Sequence, residues 1–248
     1  ASTFGNQTLT GVDGTNTVRF TIWDLDYNKD YTFTLTEATD HYGNTLEQPQ
    51  SVKFTVGSKP AIEQKVYDYV VDNTDKLLKA ISAVNSKGGT ARKTIFLKNG
   101  IYAMPETSTL IKATNVSLIG QSREGVVILG TSKEDGQGSA IFKTEGNGLY
   151  LQDLTLRTSH WRTGEFYGRV LALNATNEKM VMKRVDLEGQ QDTYLCGHRA
   201  YHEDCGVYGT VDFIYAGGDN FFQHCDIVIE NRKGNVITAP STSQAQRW

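Results

Sequence analysis

The chain has 248 residues, 38% of them hydrophobic and 21% charged, which suits a buried core in one or two domains. A formal net charge of −3 leaves no basic footprint for nucleic acid, and no apolar run approaches the roughly 18 residues of a membrane span. Twenty-four glycines, twelve tyrosines and four prolines lean to β structure, and three cysteines with no CxxC pair argue against structural zinc.

In chain order, the opening ASTFGNQT has neither the basic nor the apolar part of a signal peptide, which is compatible with one removed before residue 1. Residues 1–57 read as a small β unit. VRFTIWDL and YTFTLTEAT alternate as strands do, DHYGNTL turns, and SVKFTVG closes as a further strand. This stretch resembles the C-terminal part of a bacterial immunoglobulin-like sandwich, with its first strands absent. Residues 58–63 are the linker, within GSKPAIEQ, and residues 64–248 form the main domain. One helix is expected there. Asn73-Thr74-Asp75 caps it, Leu77, Leu78, Ile81 and Val84 recur at helical spacing, and Lys87-Gly88-Gly89 ends it. From residue 94 on, short strands alternate with polar turns: TIFLKNGIY, NVSLIG, GVVILG, SAIFKT, LYLQDLTL, RVLALNAT, MVMKRVDL, VDFIYA, FFQHCDIVI and NVITAP. No long helices intervene, so a βαβ fold is disfavoured.

A repeat explains the pattern better. LQDLTL, MKRVDL, HEDCGV and FQHCDI align with Leu154, Val185, Cys205 and Cys225 in one phase, the last two steps being twenty residues each. That period suits one coil of a solenoid, and a parallel β-helix is the all-strand candidate, its open N-terminal end covered by the helix. Asp192 and Asp212 are also twenty apart, and each lies thirteen residues before a cysteine. Equal phase stacks such residues on neighbouring coils about 4.8 Å apart. For the cysteines this predicts a Cys205–Cys225 disulfide with Cys196 free, and an oxidising compartment, against the alternative of two reduced core thiols. For the aspartates it predicts coupled titration, one carboxyl keeping its proton while the other stays ionised, against the alternative of two surface turn residues. Gln190 and Gln191 precede Asp192 in GQQDTYLC, and a positioned amide N–H suits an oxyanion donor. Tyr194, Phe213 and Tyr215 can stack on sugar faces or lie in the core.

The local sequences carry a specific resemblance. Gln191-Asp192-Thr193-Tyr194 resembles the QDT motif of the pectin methylesterases, and Gly209-Thr210-Val211-Asp212-Phe213-Ile214 their GTVDFIFG motif. Asn99-Gly100-Ile101-Tyr102, Val116-Ser117-Leu118-Ile119-Gly120 and Val236-Ile237-Thr238-Ala239 resemble their G-x-Y, following-strand and ITA segments. The resemblance implies a right-handed parallel β-helix from about residue 64 onward, with no metal and no organic cofactor. It implies Asp212 as the nucleophile on the methyl-ester carbonyl of a galacturonate unit, Asp192 as general acid and then base, and Gln191 as oxyanion donor. Arg169, Tyr194, Val211, Phe213, Tyr215 and Trp161 are the expected substrate contacts.

Three departures stand out. Tyr102 is followed by Ala103-Met104-Pro105-Glu106, which displaces the family's glutamate. Arg169 replaces the second oxyanion glutamine, so it either binds an anion or lies on the surface. The L-G-R-P-W motif, whose arginine holds the nucleophile, has no counterpart, the chain stopping 36 residues past Asp212, with Arg247 too close in sequence to serve. A fragment lacking its C-terminal coils is inferred, and the activity of that fragment is left open.

The expected function is therefore pectinesterase: methyl-esterified homogalacturonan in, free carboxylate and methanol out, by a monomer that is secreted, periplasmic or at a bacterial cell surface. A polygalacturonase-type glycoside hydrolase is an alternative, though the NTD, DD and GHG signatures are missing. A non-catalytic carbohydrate-binding β-helix is the other. The three N-x-S/T sequons read as chance matches. His160-Trp161-Arg162 is a turn that can border a sugar groove, and His198, His202 and His224 make no convincing metal set.

Overall fold

The computed structural model describes residues 25–39, 43–58, 67–132, 140–162, 168–230, 232 and 234–241. The chain divides into two compact units, with Ile22–Glu63 separated from Gln64–Trp248.

In the smaller unit, Asp30–Leu35 pairs antiparallel with Gln50–Thr55. These are the strands expected in YTFTLTEAT and SVKFTVG. VRFTIWDL falls almost wholly outside the described residues. Two paired strands are common to many β folds, so the sandwich assignment goes no further than this pair.

The larger unit is a parallel β-solenoid with three faces. The first runs through Tyr69–Val71, Lys93–Leu97, Val116–Gly120, the first halves of Tyr150–Arg157 and Glu178–Glu188, Arg199–Glu203 and Asp219–Gln223. The second takes Gly100–Ala103, Val126–Leu129, the second halves of the two long strands, Gly206–Gly209 and Asp226–Ile229. The third stacks six strands: Thr109–Ile111, Phe142–Thr144, Leu173–Asn174, Tyr194–Cys196, Val211–Ala216 and Val236–Pro240. Leu154 pairs with Val185, and Gly206 with Asp226, so the phase read from the sequence is the observed register. Twenty-residue steps hold only in the later coils, because earlier turns are longer: Leu151 pairs with Met182.

The one-residue corner between the first and second faces is left-handed in coil after coil, at Asp153, Arg184, Asp204 and His224 with φ 52, 51, 54 and 49°. Asp and Asn tolerate that region better than most residues. Asp153, Arg184 and Asp204 alternate in charge, and Arg184 forks onto Asp153.

The helix is Thr74–Lys87, capped by Asn73, whose side chain accepts from the Lys76 N–H at 3.0 Å. It ends at Gly88, whose φ of 61° a side chain would strain. Leu77, Ala80, Ile81 and Val84 are buried and belong to the solenoid core, at the coil where the helix packs on the first strands. Tyr102 closes the same end, its hydroxyl donating to the Lys98 carbonyl at 2.7 Å with the Val71 carbonyl 3.2 Å away.

His202 lies fully inside, stacked on Phe222 with ring centres 4.2 Å apart. Nδ1 donates to the Phe221 carbonyl at 3.0 Å, so Nε2 accepts the Tyr194 hydroxyl proton at 2.9 Å. Burial pushes the imidazole down to about 4. The unfolded chain therefore binds a proton from about pH 6.5 downward that the folded chain refuses until about pH 4. Stability is expected to fall through that window by up to about 1.4 kcal/mol per pH unit. Denaturation midpoints across pH 4–7 check this, with His202→Gln flattening the slope. The comparison with that variant isolates the histidine from Glu188, whose carboxyl burial raises and whose contribution has the opposite sign.

The Cys205–Cys225 disulfide does not form. The cysteines stack one coil apart as expected, but all three are free thiols. Cys205 and Cys225 each turn Sγ to the carbonyl two residues back, Glu203 and Gln223, at 3.3 Å. Parallel strands in register hold Cβ atoms about 4.8 Å apart and side by side, whereas a disulfide wants them near 3.8 Å. Burial pushes the Cys196 and Cys205 thiols up to about 12, away from the reactive thiolate. The cysteines therefore lend no support to an oxidising compartment.

Candidate active site

The corner between the second and third faces brings the two aspartates together. Tyr194 pairs with Ile214, so the residues two places before them, Asp192 and Asp212, occupy the same position on adjacent coils. Both are left-handed, with φ 56 and 50°. A single left-handed residue turns the chain sharply and breaks the strand alternation there. Asp192 is 8% exposed and Asp212 is half-buried, so one carboxyl is enclosed and its neighbour more open.

Backbone bonds tie the two coils at this corner. The Asp192 N–H donates to the Val211 carbonyl at 3.0 Å, the Thr210 N–H to the Gln190 carbonyl at 2.9 Å, and the Gly189 N–H to the Tyr208 carbonyl at 3.2 Å. The Thr193 hydroxyl donates to the Tyr208 carbonyl at 3.0 Å. Gly209 makes the approach possible, since a Cβ there would come within 2.2 Å of Phe213 Cβ and 2.7 Å of the Gln190 carbonyl oxygen.

Arg169 forms a parallel bridge with Gln191, so Arg169, Gln191 and Val211 lie in a row across three coils beside the aspartates. Arg169 is exposed, while Gln191 and Val211 are half-buried. The row places an amide and a guanidinium next to the carboxyl pair, groups that can donate to an oxyanion or an anionic sugar. Tyr215 is half-buried and packs on Ala140, Leu171 and Leu195, outside the main core. Trp161 is half-buried against the Tyr208 ring.

Tyr194 and Phe213 do not join the site. Both have no exposed surface and both sit in the main core. Tyr194 spends its hydroxyl on His202. They are core aromatics, because the corner turn at each aspartate sends the following residues inward. Tyr208 and Glu230 join this region unforeseen. Glu230 holds Arg162 and Tyr208 meets Trp161, contacts that cross several coils and leave no local pattern in the sequence.

Among the described residues, no group of three His, Cys, Asp or Glu side chains is placed to hold a metal ion. No helix among them is long and apolar enough to cross a membrane. Arg247 lies outside the described residues.

Known proteins share this arrangement of coils. The pectin methylesterase PemA from Erwinia chrysanthemi superposes with a TM-score of 0.58 at 29% identity, covering 71% of this chain and 61% of its own. A pectin methylesterase mutant solved with a hexasaccharide superposes with a TM-score of 0.57 at 27% identity, over 73% of this chain and 63% of its own. In sequence, the putative pectinesterase/pectinesterase inhibitor 38 of Arabidopsis thaliana is 33% identical over 171 residues, 64% of this chain and 35% of that protein. Pectinesterase 2 of Citrus sinensis is 29% identical over 175 residues, 67% of this chain and 33% of that protein. The chain thus spans about a third of the length of these curated relatives, which come from plants, while PemA comes from a bacterium, so a bacterial source is not singled out. Residues 66–247 match the profile of the Pectinesterase family, and the chain belongs to that family.

Proposed function

We propose that the chain carries the ester-cleaving site of a pectinesterase, acting on methyl-esterified galacturonate units of pectin. One observation carries the reading: two aspartates, both left-handed, share one corner of adjacent coils, one enclosed and one more open. The family membership supplies the chemistry that such a pair would serve.

Asp212 is the nucleophile. Its carboxylate oxygen attacks the ester carbonyl carbon, and the oxyanion of the tetrahedral intermediate is met by Gln191 and by the Arg169 guanidinium. The C–O bond to methoxide breaks as Asp192 gives up its proton, so methanol leaves and a mixed anhydride joins the sugar to Asp212. Water then attacks the sugar's carbonyl, Asp192 takes a proton from it, and Asp212 returns as a carboxylate. Burial disfavours charge, so the enclosed Asp192 suits the proton-carrying role and the more open Asp212 the attacking one. No metal or organic cofactor enters this scheme. Pectinesterases act on cell-wall polymer, which supports a secreted or cell-surface location and a polysaccharide partner.

Methanol release from highly methylated homogalacturonan, with reducing ends counted in the same samples, tests the reading. Methanol without new reducing ends is expected. New reducing ends without methanol support a glycoside hydrolase instead, and binding without either product supports a non-catalytic carbohydrate-binding solenoid.

A further inference from the structure

One short segment runs across the coils of the site instead of around them. The strand Tyr150–Arg157 ends with the Thr158 N–H donating to the Glu188 carbonyl at 2.8 Å, and the Trp161 N–H turns back to the Thr158 carbonyl at 3.2 Å. The next contacts each reach a later coil. The His160 carbonyl accepts from Gln190 Nε2 at 2.6 Å, on the coil of Asp192. The Trp161 ring stands edge-on to Tyr208, centres 5.4 Å apart, on the approach to Asp212. Arg162 forks onto Glu230, Nε to Oε2 at 3.0 Å and Nη2 to Oε1 at 2.8 Å, at the start of the following turn. Glu230 is itself fixed, its N–H donating to the Gly209 carbonyl at 2.7 Å.

The segment is held firmly. The Arg162 guanidinium lies 4.5 Å from the centre of the Trp161 ring, and both side chains of the Arg162–Glu230 pair are about five-sixths buried, at 17% and 16% exposed. A two-point Arg–carboxylate fork in that setting is worth more than a surface ion pair. Arg162 is left-handed, with φ 50°, a conformation that is strained for a non-glycine residue of this kind and persists only where the surroundings impose it.

The corner it crosses needs such support. Asp192 and Asp212 interrupt the regular strand, and the ladder that follows shifts register between Val211 and Ile214. Productive geometry between two reacting groups tolerates only about 0.5 Å. We propose that His160–Arg162 is a strap that fastens the coil of Asp192 to the coil of Asp212. Arg162, Glu230 and Trp161 are its positioning residues and fix the spacing of the two carboxyls. The kinetic part of this proposal rests on the esterase reading above, while the mechanical part stands without it.

Amide hydrogen exchange on the whole chain tests the mechanical part, in the parent, Arg162→Gln, Glu230→Gln and the charge-reversed pair Arg162→Glu with Glu230→Arg. In the single variants, exchange at the Asp192 and Thr210 N–H groups is expected to quicken about tenfold or more, while Gly100 and Met104, bonded in the early coils, keep the parent's rate. The reversed pair restores protection. Methanol release follows, with kcat down about tenfold and KM within about twofold. Unchanged exchange at Asp192 and Thr210, or equal quickening at Gly100 and Met104, overturns the strap. A raised KM with kcat intact overturns the positioning role, because it marks direct contact with substrate. A parent that releases no methanol removes the esterase reading, and the exchange data still decide the strap.

Discussion

Asp212→Asn is expected to abolish methanol release, lowering kcat by at least about 10⁴-fold, as removal of a nucleophile does elsewhere. The substitution is close to isosteric. Asp212 is half-buried at a left-handed corner with φ 50°, and Asn accepts that conformation as readily as Asp. The unfolding midpoint is therefore expected to stay within about 0.5 kcal/mol of the parent's. Loss of activity with the fold intact separates the attacking carboxylate from a turn residue that merely shapes the coil. Asp192→Asn acts differently. It keeps the shape but carries no transferable proton, so it slows both halves of the reaction, by about 10²–10⁴-fold. Both effects are read as initial rates of methanol production, with circular dichroism on the same preparations.

Phe213→Ala is expected to cost about 3–5 kcal/mol of stability. The ring has no exposed surface and lies in the main core, in the same buried cluster as Tyr194, Val207 and Cys205. Its neighbour in the chain is the proposed nucleophile, so a cavity there also loosens the corner that Gly209 allows to close. A ring serving as a sugar platform behaves in the opposite way, raising KM while leaving the denaturation midpoint in place. Tyr215→Ala is the control. That ring belongs to the same strand, Val211–Ala216, but is half-buried and packs on the small outer cluster of Ala140, Leu171 and Leu195, so its removal costs less. Urea or thermal midpoints of the two variants check the contrast.

Several features were legible in the sequence because they repeat or cap. The helix was marked by Asn73 and by apolar residues at helical spacing, and it forms at Thr74–Lys87. The phase of Leu154, Val185, Cys205 and Cys225 gave the stacking of coils, and the same step placed Asp192 beneath Asp212. Side-chain direction was harder. Tyr194, Leu195 and Cys196 are all buried, Leu195 in a small cluster outside the main core, and a strand buried on both faces shows no alternation to read. The left-handed corners at Asp192 and Asp212 also reset the phase for the residues that follow. Stacking alone suggested a disulfide, but parallel register sets the thiols side by side and leaves each on the carbonyl two residues back. The clamp from Arg162 to Glu230 spans 68 positions and belongs to no repeat, so nothing local announces it. The short strand Thr109–Ile111 carries too few residues for a pattern and emerges only from its pairing with Phe142–Thr144.

In the proposed mechanism Asp212 attacks and Asp192 carries the proton. The most direct measurement catches the covalent state. Turnover on a methyl-esterified oligogalacturonide is stopped with acid within milliseconds, and the digested chain is mapped by mass. A uronoyl group attached to Asp212 is the predicted result. Methanol produced with no adduct on Asp212, or with the adduct on another carboxylate such as Asp192, contradicts the account.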